Sequence, residues 1–194
     1  MTQFLIIYTH PYDRSFNHAE LDRVTAKLTE QGDPYQVIDL YHDGFNPAYD
    51  AEELRLFHSG QTHDPLVTQY LTQLKAADAV IFITPIWWND LPGILKGFID
   101  KVMKEGAGLT HVVTKTGVKG TLTNIQKTYV LTTSTSPTFY LRFFCGNAVK
   151  QVFIGATLKQ LGMRHVRWSN FGGITNAPEE KRKAYLEKVG QMAF

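Results

Sequence analysis

Three short stretches gather side chains that could do chemistry. The first, "THPYDRSFN" (9–17), places His10, Arg14, Ser15 and Asn17 at what reads as a helix start. A helix N-terminus presents unpaired amides and the positive end of a dipole, and both attract an anion. Ser15 can add a hydroxyl, Asn17 an amide, and His10 or Arg14 a positive charge. The plainer reading is that Ser15 only caps the helix. The second stretch, "TPIWWNDLPG" (84–93), sets Trp87 and Trp88 side by side between two prolines. Adjacent side chains on an extended segment face opposite ways. One tryptophan is therefore expected to pack, while the other walls a pocket for a planar ligand or enters a subunit interface. The third, "TTSTSPTFY" (132–140), brings the hydroxyls and spare amides of Ser134, Thr135 and Ser136, suited to the polar edge of a heterocycle.

Elements that would position these stretches follow one another in regular alternation. "FLIIYT" (4–9), "YQVIDL" (35–40), "AVIFIT" (79–84), "TYVLTTS" (128–134) and "RHVRWSNF" (164–171) read as strands. Helices are expected over 15–31, closed by Gly32, over 64–77 with Asp64 as cap and Pro65 at the first turn, and over 92–104. Further helices are expected at 146–161 and from Pro178 onward, with a short one at 51–58. Residues 105–127 read as a long loop. Parallel neighbours need crossover connections, so this order predicts an α/β three-layer sandwich, a five-stranded parallel sheet with helices on both faces. Nothing resembles a linker, and one domain over 1–194 is expected. Ligands of such sheets bind at the carboxyl ends of the strands, near the point where strand order reverses. The three stretches follow strands one, three and four, so they should meet there. A phosphate holder, an aromatic wall and a polar edge match the three parts of flavin mononucleotide.

Composition narrows the alternatives. Twenty basic and 18 acidic residues among 194 give a formal net charge of +2. So slight and scattered a surplus offers no arm for nucleic acid. The longest apolar run, 79–88, is too short to span a bilayer. The opening "MTQFLIIY" lacks the basic start of a secretory leader, so the cytoplasm is expected. A single cysteine, Cys145, forms no internal disulfide. The seven histidines make no HExxH pair, and no metal site is expected. GxGxxG, Walker A and GxSxG patterns are absent.

The motifs "HPYDRSFN", "DLY" with "FNP" (39–47) and above all "AADAVIFITPIWWNDLPGILKGFIDKV" (76–102) resemble the NAD(P)H quinone oxidoreductases of flavodoxin-like fold, the group that includes DT-diaphorase and the modulators of drug activity. The resemblance spans about residues 4–171. It implies a homodimer with FMN or FAD at the subunit interface, NADPH or NADH as hydride donor, and ping-pong reduction of quinones or related nitro and azo compounds. It implies that His10, Ser15, Phe16 and Asn17 surround the flavin phosphate, where the loop's own chemistry also places Arg14. Pro85, Ile86, Trp87 and Trp88 would flank the ring system, with Ser134, Thr135 and Ser136 at its polar edge. Tyr140 matches a tyrosine that assists hydride transfer, and His111 would enter the partner's substrate pocket. There are departures. Ser136 and Pro137 stand where the family carries two glycines, and Leu109 and His111 stand where it carries two tyrosines.

Two other functions compete with the enzyme. One branch of the family resembles ancillary subunits of potassium efflux systems, which would need a membrane-protein partner. A flavodoxin-type electron carrier is the other, but such carriers are strongly acidic for docking, unlike this chain.

Overall fold

The apolar runs FLIIY and AVIFITP form adjacent, fully buried strands in the computed structural model, which describes residues 1–194. The strands in chain order are β1 (Phe4–Tyr8), β2 (Tyr35–Asp39), β3 (Ala79–Pro85), β4 (His111–Thr114), β5 (Gly117–Gly120), β6 (Lys127–Ser134) and β7 (Val166–Gly172). Five of them make one sheet in the order β2-β1-β3-β6-β7, parallel throughout. Strand order therefore runs outward from β1 to β2, then reverses toward β3. That reversal is the topological switch point at which such sheets bind ligands.

The helices are α1 (Phe16–Gln31), α2 (Ala51–Leu56), α3 (Pro65–Ala76), α4 (Gly93–Val102), α5 (Thr138–Phe143) and α6 (Glu179–Gly190). Side-chain alternation along the strands splits the core into two layers. Phe4, Ile6 and Tyr8 of β1 join Ile81 and Ile83 of β3 against Val24 and Leu28 of α1 and Val189 of α6. Leu5 and Ile7 face the other way, with Val80 and Phe82, against Leu74 of α3 and Leu95 and Phe98 of α4. Local chemistry fixes the helix ends. Ser15 caps α1, and Gly32 closes it at φ 72°, its amide bonding the carbonyls of Leu28 and Thr29. Asp64 caps α3 directly before Pro65.

The "FNP" turn packs tightly on α4. A Cβ added at Gly97 would stand 2.3 Å from the Pro47 Cβ, so only glycine fits there. Charge is buried close by. Lys104 pairs with Glu53, and Lys101 donates to Asp64 at 2.8 Å and to the carbonyl of Asn46 at 2.7 Å. These pairs tie α2 and α3 to the C-terminal end of α4.

Three expectations from the sequence are corrected. The 105–127 loop contains the β4–β5 antiparallel hairpin. An additional helix, α5, follows the third candidate loop. The helix expected at 146–161 winds as a π-helix over Val149–Leu158. Its buried residues Val149, Phe153, Ile154 and Leu158 suit either winding, so the hydrophobic pattern could not tell them apart. No helix is long and apolar enough to cross a membrane.

Candidate functional site

Strands β1, β3 and β6 are neighbours, so the three candidate loops emerge together at one edge of the sheet. Their roots are bonded to one another. The Thr9 amide donates to the Ile83 carbonyl at 3.1 Å, and the Ile86 amide to the Thr133 carbonyl at 2.7 Å. The Thr9 hydroxyl donates to the Thr84 hydroxyl at 2.6 Å, fully buried.

In the first loop the capping role of Ser15 is plain. Its hydroxyl accepts from the His18 amide at 3.1 Å. The next two amides, of Phe16 and Asn17, have no acceptor in the fold. The cap thus leaves a pair of donors at the positive end of α1. The side chains around them do other work. Phe16 stacks on Phe171 at 4.9 Å, on the core side. Asn17 is buried, its oxygen accepting from the Thr133 hydroxyl at 2.8 Å and its NH2 donating to Glu20 Oε2 at 2.9 Å. Arg14 is exposed. His10 Nδ1 accepts from the Tyr12 amide at 3.1 Å, which leaves Nε2 to carry the proton of the neutral ring. Burial holds its pKa below the ordinary histidine value. His10 is therefore a neutral donor, not the cation the sequence suggested. Its ring meets Trp87 edge-on at 6.0 Å.

The second loop departs most from expectation. Trp87 and Asp90 exchange backbone hydrogen bonds of 2.9 and 3.1 Å across a tight turn. Its two central residues, Trp88 and Asn89, have φ of 51° and 70°. That left-handed backbone is rare for a bulky side chain and stores strain. A segment so folded is not extended, so the opposite-faces rule does not apply. Neither tryptophan packs in the core: Trp87 is 41% and Trp88 98% exposed. Pro85 and Ile86, both buried, anchor the turn.

The third loop is held by a residue the sequence reading missed. Asn170 of β7 donates to the Ser134 hydroxyl at 3.1 Å and to the Thr138 hydroxyl at 2.8 Å. The Ser134 hydroxyl in turn donates to the Ser136 carbonyl at 2.8 Å. Beside it, a Cβ at Gly172 would lie 2.5 Å from the Thr138 nitrogen, so glycine lets β7 approach α5.

A cavity of about 630 Å³ opens between the second and third loops, lined by residues 86–89, residues 134–136 and Leu141 of α5. The amides of Trp88, Asn89, Thr135 and Ser136 have no acceptor in the fold. Asn89 and Leu141 are lining residues with no signal in the sequence, because the turn and the helix that present them were not foreseen. Tyr140 does not line this cavity; it stacks on Phe144 at 5.6 Å and is half-exposed. His111 lies at the start of β4, its Nδ1 3.1 Å from the Thr110 hydroxyl, also outside the cavity.

The geometry therefore offers a row of free donors, an aromatic edge and a cleft, at the switch point of a parallel sheet. A model of the family described as having the flavodoxin-like fold matches residues 2–193. The chain belongs to that family. An uncharacterized NAD(P)H oxidoreductase of Haemophilus influenzae is 30% identical over 96% of this chain and 92% of its own length. The structure of an NAD(P)H:quinone oxidoreductase from Methanothermobacter marburgensis superposes with a TM-score of 0.84 at 26% identity, covering 98% of this chain and 94% of the other. An FMN-dependent NADH-azoreductase from Bacillus anthracis, solved with FMN, shares the fold at a TM-score of 0.79 and 20% identity, covering 98% and 97%. Relatives named ribosyldihydronicotinamide dehydrogenase [quinone] align over about half of their own length.

Proposed function

We propose that this protein is a flavin-dependent NAD(P)H oxidoreductase that reduces quinones, or related azo and nitro acceptors, by two electrons. One observation carries the reading. Unpaired amides at the start of α1, in the Trp87–Asp90 turn and after Ser134 surround the switch-point edge, matching the phosphate and the polar ring edge of FMN. Relatives named for NAD(P)H, quinones and FMN support the same class.

In this reading residues 1–194 form one flavin-binding domain. The Phe16 and Asn17 amides, with neutral His10 and Arg14 near them, hold the phosphate at the positive end of α1. Ser15 keeps that helix start in place. Pro85 and Ile86 fix the floor, Trp87 and Trp88 wall the ring system, and Ser134, Thr135 and Ser136 meet its polar edge. FMN supplies the two-electron carrier between nicotinamide and acceptor, and the chain supplies binding, orientation and shielding from water. FMN, the cofactor in the name of the Bacillus anthracis relative, is the proposed flavin.

A homodimer is part of the proposal. Trp88, Phe143 and Phe144 are 98, 78 and 72% exposed, which supports a partner covering this side of the molecule. Tyr140 and His111, both outside the single-chain cavity, would act in that assembly, Tyr140 as proton donor and His111 from the partner. The cytoplasm is the proposed location.

Initial rates of quinone reduction, measured over a grid of NADPH or NADH and acceptor concentrations with FMN present, test the reading. Parallel double-reciprocal lines are expected. Absence of turnover with both nicotinamides across quinone, azo and nitro acceptors would refute it.

A further inference from the structure

Beneath the candidate phosphate loop lies a carboxyl group that the proposed reaction does not use. Glu20 sits in the second turn of α1 and is 0% exposed. Its Oε2 accepts from Asn17, while Oε1 is buried with no hydrogen-bond partner. The groups facing it are neutral. From α6 comes the phenol of Tyr185, which bonds the Ser169 hydroxyl of β7 at 3.0 Å. From β1 comes the phenol of Tyr8, and from β6 Thr133 acting through Asn17. Arg182 of α6 donates to the Ile174 carbonyl instead, and no cation comes within ion-pair distance of Glu20. An ionised carboxylate here would be an unpaired buried charge with a bare oxygen, an arrangement proteins avoid by keeping the proton.

We propose that Glu20 is a positioning residue that holds the phosphate loop to the third loop through Asn17 and Thr133, does so as a neutral acid, and makes flavin binding depend on its proton. The proposal rests on the flavin reading above. A phosphate at the α1 N-terminus adds negative charge close to the carboxyl and favours its protonated form. Flavin uptake then carries a proton from solvent onto Glu20 wherever the free protein has released it. Burial, opposed by Tyr185 and Asn17, pushes the carboxyl up to about 8, so the release falls in an accessible range.

The sign follows by linkage. Protonated Glu20 favours FMN, so affinity is highest below the free-protein value and declines as pH rises through it. If bound phosphate raises the carboxyl by one further unit, affinity falls about fivefold from about pH 7 to about pH 9.

The test is FMN titration by fluorescence quenching across that range, with wild type and Glu20→Gln, and with riboflavin, which lacks the phosphate. The expected result is a fivefold fall for FMN with wild type, none for riboflavin, and a flat profile for Glu20→Gln. Equal pH profiles for FMN and riboflavin, or for both proteins, would overturn the proposal. The riboflavin comparison needs only wild type, so a variant that fails to fold does not remove the test. Infrared spectra of the flavin-free protein add a direct readout, since a protonated carboxyl band should vanish as pH passes about 8. If the band behaves so and FMN binds at no pH, the flavin reading has failed and the coupling falls with it. If FMN binds and the band is absent, only the coupling has failed.

Discussion

Glu53 and Glu20 are buried to the same degree, at 1 and 0% exposure, in two regions that treat the charge oppositely. Burial acts to raise both carboxyls. At Glu53 the opposing bonds prevail: Lys104 and the Thr62 hydroxyl donate to it, and its pKa lies below the ordinary value. At Glu20 only neutral groups oppose burial, and the value rises to about 8. Depth therefore does not decide charge; the partner does. The Glu53 region is a fully paired brace under α2, α3 and α4. The Glu20 region lies under loops whose amides are unpaired, and it keeps its charge away from the place where an anion would sit.

The largest effect should come from breaking the brace. Lys104→Met strips buried Glu53 of its ammonium partner, so that it must sit as an unpaired charge or take up a proton, and should cost about 3–5 kcal/mol in urea unfolding. Adding Glu53→Leu should recover most of that loss; no recovery would mean that the brace acts through packing and not through charge.

Glu20 should set the pH dependence of stability. Its folded value lies above its unfolded one, so the stability it allows is complete below about pH 4.5 and is lost as pH rises through about 8. The loss is on the order of a few kcal/mol. Unfolding free energies of wild type and Glu20→Gln should diverge across this window, and parallel curves would place the two glutamates in the same class.

Smaller effects belong to the loops. Ser15→Asp keeps an oxygen able to cap α1 and so spares the fold, yet sets a carboxylate against the phosphate. FMN affinity should drop about tenfold, a change of about 1.4 kcal/mol, read by fluorescence titration. Trp88→Ala should lower flavin retention by a few-fold, read in the same titration. If sedimentation instead shows only loss of a dimer, Trp88 belongs to the interface alone.

The sheet was legible because its central strands β1 and β3 are continuously apolar and its helices carry their own caps, as at Ser15, Asp64 and Gly32. That the three candidate loops meet at one edge was legible too, since the order of strands fixes which loops emerge together. What escaped was set by tertiary contact. Trp88 and Asn89 adopt a left-handed turn that their residue types disfavour. Asn170 works across strands, 36 residues from Ser134. Glu20 carries no local mark in the sequence, because its burial is set by Tyr185 of a distant helix and by Asn17, which Thr133 holds.

The most direct test of the central claim is a visible absorption spectrum of the protein after incubation with FMN and desalting, then after anaerobic addition of NADPH or NADH. Retained flavin bands that bleach with a nicotinamide and return with a quinone are the predicted result. A desalted protein without flavin bands, or bands that neither nicotinamide bleaches, would contradict the account.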